Sequence, residues 1–362
     1  MDHFNVRHRL AQRGVALITA LLVIALVTAA AVAMASRQQL DIRRTANILQ
    51  RDQAYVYAEG AEIMARAVLA KDDLATDHRE EDWGKGGVSI PFQGGLLTGT
   101  LEDLQGRFNL NNVVQKNGTV SLPDVDRLIR LLQILKNKKP DDEHWKKAEP
   151  SDLAHAVVDW IDPDNNVTSP GGAEDSDYLQ TDRPYRTANA PMAASSELLL
   201  VRGFTPAIYR DVAPYVTALS EHTLINVNTA KLELLRALDP DINCVDVTKL
   251  GRNEEVLTAS VTIDSAKVKP TIFPDAQAFL RDPSTAACKF PGFIHSPPLP
   301  AVAGAAPPED PAHVLSVTTN FFQVNAYAEV GPDDHRVKVK LYSVLQRKNG
   351  KIATLSRAQG FE

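Results

Sequence analysis

Cysteine is nearly missing from this 362-residue chain: Cys244 and Cys288 are its two, far apart and outside any metal-ligand spacing. Zinc ribbons and iron–sulfur scaffolds are thereby excluded. Positive charge is outweighed by negative, 39 lysines and arginines standing against 45 acids for a net charge of −6. A sequence-independent grip on nucleic acid needs a basic surface, and the one concentrated lysine run, 136–139, reads as a solvated helix end. The nine histidines make no H-E-x-x-H pair and Ser195-Ser196 lacks a G-x-S-x-G context, so zinc hydrolysis and a serine nucleophile both lack an anchor. Apolar residues are not scarce: at 44% they suffice for one large or two medium domains with real cores, which rules out a disordered chain.

The dominant feature is a hydrophobic run over residues 15–35, whose polar members are Thr19 and Thr28 alone. About 21 residues at about 1.5 Å each make roughly 30 Å of helix, the thickness of a bilayer's hydrocarbon core. Arg7, Arg9 and Arg13 precede it against Asp2, so the positive-inside bias leaves the N-terminus in the cytoplasm and sends the remaining chain outward. A cleaved secretory signal is the competing reading, since Ala33-Met34-Ala35 is a passable A-x-A site. Against it stand the length of the run and a helical pattern that continues without a turn signal. Leu40, Ala46, Leu49, Ala54, Tyr57, Ala61, Met64 and Val68 fall mostly three or four apart, and Gly60 weakens the helix by about 1 kcal/mol without breaking it. A single rod from Val15 to about Leu69 is expected, on the order of 80 Å long.

A short basic leader ending in Gly14, a hydrophobic helix starting at Val15 and an amphipathic continuation resemble the type IV pilin class. The resemblance implies cleavage by a prepilin peptidase after Gly14, with Val15 as the new N-terminus. Most members carry Glu at mature position five, a membrane-buried carboxylate that needs a partner; here that position is Thr19. This departure, with the length, resembles the K subunit of type II secretion systems, a large minor pseudopilin. Membership implies a type IV pilin-like α+β fold, a long N-terminal helix packed on an antiparallel sheet with a large inserted α-helical domain. It further implies a non-enzymatic place at the tip of the periplasmic pseudopilus, helping to initiate its assembly for protein export. The implied partners are the minor pseudopilins I and J, then H, the major pseudopilin G, the prepilin peptidase and the inner membrane of a Gram-negative bacterium, and no nucleic acid. The rival reading is a membrane-anchored periplasmic calcium-dependent binding protein or hydrolase.

The chain divides accordingly: leader 1–14, helix 15–70, the first part of the pilin-like unit 71–112, an inserted helical domain 113–310 and closing strands 311–362. Residues 88–92 and 96–104 alternate around Gln93-Gly94-Gly95, a hairpin signal. The GRFNLN string from Gly106 to Asn111 follows; it is similar to a motif the K family places at the sheet's exit, and its asparagines equally suit a turn bonded to local backbone. Helical periodicity then runs from Pro123, from Ser151, over 204–219 and over 231–238, the last behind Thr229 as a suitable N-cap. Residues 224–230 resemble the family's INVNTA motif, which suggests helix-hairpin-helix folds, but the glycine-bearing hairpin that holds phosphates is absent. Residues 290–311 read as a Pro-rich linker, and 321–330, 336–346 and 352–356 as three strands. Val337, Val339, Leu341, Ser343 and Leu345 form one face able to lie on the N-terminal helix.

Chemistry concentrates in one loop, where Asp159, Asp162, Asp164, Glu174, Asp175 and Asp177 fall within about twenty residues. They repel one another unless solvated or bound to a hard cation, and calcium is the natural counter-ion outside the cytoplasm. An EF-hand is excluded, because Val167 stands where its glycine belongs and Glu174 comes one residue late. DWIDPDNN and GGAEDSDY do resemble the loop in which the K family binds calcium; a solvated acidic loop is the other reading. Glycoside hydrolysis fits poorly, since its carboxylates sit on rigid elements while these crowd one Gly/Pro/Asn loop. Once exported, Cys244 and Cys288 can close a loop of roughly 45 residues, worth about 2–4 kcal/mol, or remain two buried thiols.

Overall fold

The computed structural model describes residues 6–92, 94–250, 270–290, 313–332 and 336–360. The Pro-rich linker lies outside them but for Phe290, as do the leader's first five residues. Helix α1 (Val6–Leu69) runs unbroken through the apolar stretch and starts ahead of Gly14. Thr19 Oγ1 donates to Ala16 O at 3.0 Å, and Thr28 Oγ1 to Ile24 O at 2.8 Å, so neither hydroxyl needs a neighbour in the bilayer. Leu40 and Leu49, which the sequence places on one apolar stripe of the helix, are exposed along with Met64. The face that meets the sheet is made instead of Ala54, Ala58, Ala61, Ala65 and Leu69. Small side chains let the helix lie close on the sheet, while larger neighbours at the same period face outward.

The sheet has five strands in the order β1-β2-β7-β8-β9, all antiparallel. These are β1 (Val88–Phe92), β2 (Gly95–Asp103), β7 (Phe321–Val330), β8 (Val337–Lys348) and β9 (Lys351–Gly360). Val339, Leu341 and Leu345 of β8 join Val324, Ala326 and Ala328 of β7 against α1, while Val337 is half-buried. Ser343, on the same face, donates to Glu62 Oε2 at 2.7 Å. Glu62 also accepts from Thr354 Oγ1 at 2.5 Å and from Arg357 Nε and Nη2 at 2.7 and 3.0 Å. Those bonds, Arg357 foremost, hold its carboxyl down at about 2. A charge under a sheet is tolerable because each of its oxygens is met.

Between β2 and β7 the chain builds a helical domain: β3 (Phe108–Asn109), α2 (Leu122–Asn137), α3 (Glu143–Lys147), α4 (Pro150–Ile161), α5 (Asp175–Tyr178), α6 (Pro206–Val212), β4 (Val216–Thr217), β5 (Ile225–Asn226), α7 (Leu232–Arg236), α8 (Val247–Leu250), α9 (Ala276–Leu280) and β6 (Leu315–Ser316). Leu128, Leu131, Trp145, Val157, Leu198, Leu234 and Phe279 belong to its single core. Cys244 and Cys288 are joined in a disulfide, with Cα atoms 4.8 Å apart. Two local expectations fail here, and a third holds only in part. Lysines 136, 138 and 139 are not merely solvated: Lys136 reaches Ala148 O at 2.8 Å, Lys138 pairs with Glu233, and Lys139 meets Asp211 at 2.6 Å. The asparagines of GRFNLN do bond local backbone, Asn109 Oδ1 accepting from Asn111 N at 3.2 Å, but they and their neighbour also bind remote backbone, Asn109 accepting from Leu219 N at 3.0 Å and Asn112 Nδ2 donating to Thr223 O at 2.8 Å. The stretch 204–219 stays helical only to Tyr215 before pairing as β4 with β3 in parallel.

The domain sits over the C-terminal end of α1. Thr229, expected as an N-cap, instead donates its hydroxyl to Asp103 Oδ2 at 2.5 Å, and Lys231 takes the cap position. Asn226 Nδ2 bridges Asp103 Oδ2 at 2.9 Å and Asp77 O at 3.0 Å. Arg347 of β8 lies over the Phe322 ring at 5.0 Å and grips Asp77 at 2.6 Å and Asp72 at 2.9 Å. The INVNTA string is therefore the seam between the two parts of the molecule.

Candidate metal centre

Helix α4 starts with Pro150 at its first turn and stops at Asp162, which turns extended ahead of Pro163. That places Asp159 in the last turn, fully buried, where both its oxygens accept Thr168 N, at 3.0 and 3.1 Å. The loop is thus folded back against its own helix. Two glycines make the return possible: Gly171 has φ +84, and a Cβ there would stand 2.2 Å from Asp152. A Cβ on Gly172 would stand 2.2 Å from Asp159 Oδ2. The chain comes back to Glu174, the residue before α5.

Asp162, Asp164 and Glu174 each present an oxygen within 4.8 Å of the others. Asp162 and Glu174 are buried, at 4% and 2% exposure, and Asp162 Oδ1 and both Glu174 oxygens accept no hydrogen bond among the described residues. Burial first, then the charges of Asp159, Asp162 and Asp164, pushes the Glu174 carboxyl up to about 7. Burial, then Asp164 and Asp159, takes Asp162 up to about 6. Asp159 is raised too, by burial. Oxygens on opposite sides of a calcium ion lie about 4.6–5.2 Å apart, so the cluster has the dimensions and the hard, anionic donors that such an ion takes. It also has the orphaned buried acceptors that an ion would satisfy.

Three residues expected in the ligand set stand outside the cluster: Asp159, held by Thr168 N, and two that are turned elsewhere. Asp175 accepts from Thr187 N and Oγ1 at 3.0 and 2.9 Å and pairs with Arg186 at 2.7 Å. Asp177 caps α5 by accepting from Glu174 N at 3.2 Å and pairs with Arg202 at 2.8 Å. The partners come from chain well beyond the loop, which the spacing of acidic residues alone does not register. Sequence reading also passed over Thr168 and Asn189; for the first, Gly171-Gly172 is the usable signal of a tight return, and for the second there is none. A second acidic group, Asp72, Asp77 and Glu81, differs in kind. Arg347 neutralises the first two, and Glu81 accepts from Trp83 Nε1 at 2.5 Å, so its charges are met by protein.

Gly14 and Val15 lie within continuous helix, and the window of high hydropathy beginning at Val15 is long and apolar enough to cross a membrane. The family model for type II secretion system protein K matches residues 106–221, from the GRFNLN string through the acidic loop. The protein K of Pseudomonas aeruginosa is 41% identical over 241 residues, covering 64% of this chain and 69% of that one. The protein K of Aeromonas hydrophila is 33% identical over 363 residues, covering 96% and 97%. A solved chain from the GspK–GspI–GspJ complex of enterotoxigenic Escherichia coli shares the fold at a TM-score of 0.64 and 24% identity, over 88% of this chain and all of that one. With a relative matched nearly end to end, the chain belongs to the type II secretion system protein K family.

Proposed function

We propose that this minor pseudopilin caps the periplasmic pseudopilus and helps to start its assembly. The observation that carries the reading is the place of the helical domain: it is fastened to the end of the sheet beside Leu69 and Asp77, remote from the apolar stretch of α1. Bulk there leaves no room for a subunit stacked above. Thr19 supports it, because a hydroxyl bonded to its own helix offers no charge to a subunit already in place. Ile48, Leu49, Val56 and Ile63 give α1 an exposed apolar face suited to neighbouring pilin helices, and the I and J subunits, named with the K chain in the solved complex, are the proposed occupants, followed by H and G. A prepilin peptidase removes residues 1–14, and the apolar run holds the rest in the inner membrane by one span with its bulk in the periplasm. Labelling the helical domain and imaging filaments tests the reading: label should sit at one end, and label along the shaft would falsify it.

The acidic loop holds calcium through Asp162, Asp164 and Glu174, with Asp159 adding charge from behind. Bound there, the ion supplies positive charge that ties the end of α4 to the start of α5. Acid–base catalysis by the same groups is disfavoured, because Asp162 and Glu174 are buried, at 4% and 2% exposure. The protein acts by holding and assembling, without a reaction of its own.

A further inference from the structure

The cation reading of the acidic loop is the premise here. One arm, 162–166, carries Asp162 and Asp164; the other, 174–177, carries Glu174. Without an ion the arms repel, so something must hold them at binding distance. The segment 186–189 crosses both. Asn189 Nδ2 donates to Asp164 O at 3.2 Å and to Asn165 Oδ1 at 3.3 Å. On the other arm, Thr187 donates its N–H and hydroxyl to Asp175, and Arg186 pairs with the same carboxylate.

Asn189 is kept at a cost. Its φ of 44 is left-handed, a region that glycine adopts freely and other residues rarely. Its Oδ1 is buried and accepts no hydrogen bond among the described residues. A residue both strained and incompletely bonded, beside a cluster of unneutralised carboxylates, is the kind retained for what its side chain does. We infer that 186–189 is a strap that preorganises the cation site, with Asn189 and Thr187 as positioning residues that fix the two arms before the ion arrives. Asp175, turned away from the cluster, is the strap's anchor on the second arm.

Calcium titrated calorimetrically into the full-length protein in detergent, with metal-free melts alongside, tests this. Asn189→Gly fits the left-handed backbone without strain and removes the amide; Thr187→Val keeps the shape and removes the hydroxyl. Each should bind calcium about 10-fold more weakly, the usual scale for groups that orient metal ligands. The metal-free melting temperature of Asn189→Gly should stay at or above that of the parent protein. Undiminished affinity in both variants overturns the strap and leaves the cation site standing. Failure of the parent protein to bind calcium overturns both. Weaker binding matched by a lower metal-free melting temperature in both variants also overturns the strap, marking 186–189 as ordinary scaffold.

Discussion

Asp103, the last residue of β2, accepts a hydrogen bond from Asn226 Nδ2 at 2.9 Å and so joins the sheet to the helical domain across 123 positions of sequence. The carboxylate is buried at 4% exposure and also takes Gln105 N at 2.7 Å and the Thr229 hydroxyl. Burial raises its pKa even so. Asp103→Ala leaves the Gln105 N–H without its acceptor, strips one of two acceptors from the Asn226 amide and leaves the Thr229 hydroxyl only a long contact with Asn226 O at 3.5 Å. A loss of about 2–4 kcal/mol in denaturant unfolding is expected, with faster proteolysis between the two parts. A variant within about 0.5 kcal/mol of the parent would show that the seam is not held this way.

Glu62 gives the sheet side of the molecule an acid limit. Its folded carboxyl stands at about 2 against an ordinary value near 4.5. A depressed acid binds fewer protons folded than unfolded, so its contribution is complete above about 4.5 and is lost as pH falls toward about 2. Arg357 is half-exposed, which limits the contribution to on the order of 1–2 kcal/mol. Urea melts between pH 5 and 2 should be less steep in pH for Glu62→Gln than for the parent protein; parallel profiles would contradict the assignment.

Calcium should raise the melting temperature of the full-length protein, since binding to the native state adds RT ln(1 + [L]/Kd). Asp162→Ala and Glu174→Ala should abolish most of that gain, while Asp177→Ala, at a carboxylate paired with Arg202, should leave some of it. In EDTA the sign of the pH response reverses relative to Glu62. Glu174 and Asp162 are raised, so the native state binds the extra protons and stability rises as pH falls from about 7 toward the unfolded carboxylate range. Coincident melts with EDTA and with millimolar calcium would leave the loop merely solvated.

Cleavage between Gly14 and Val15 should give a mature chain whose mass begins at Val15, and Gly14→Leu should accumulate as uncut precursor. A mature N-terminus at Ser36 would instead mark the run as an ordinary secretory signal. Thr19→Glu should insert normally, at a cost of at most a few kcal/mol, and should not improve assembly as scored by filament yield.

The rod, the hairpin and the closing strands were legible because their patterns have a period that survives reading one residue at a time. β9 was read too short, ending at Ser356 in place of Gly360, because its second half is exposed and shows no apolar alternation. The stripe on α1 misled for a different reason: Leu40 and Leu49 keep the helical period but precede Ala54, where contact with the sheet begins. At the acidic loop, composition pointed to a segment in which Asp162, Asp164 and Glu174 do converge. What separates them from Asp175 and Asp177 is Arg186, Thr187 and Arg202, which only tertiary structure brings near. Thr229 was misread because a hydroxyl one turn ahead of a helix can cap it or leave for a better acceptor, and Asp103 is that acceptor.

Helix α1 has a stretch between the end of its apolar run and Ala54 that is almost wholly exposed. Its 18 or so residues make a stalk of roughly 27 Å along the helix axis. That is about three Debye lengths at physiological salt, so headgroup charge is screened out before it reaches the sheet, and the acidic loop lies farther still. The acidic loop and the seam therefore sit in the same electrostatic surroundings whether or not the apolar run lies in a bilayer.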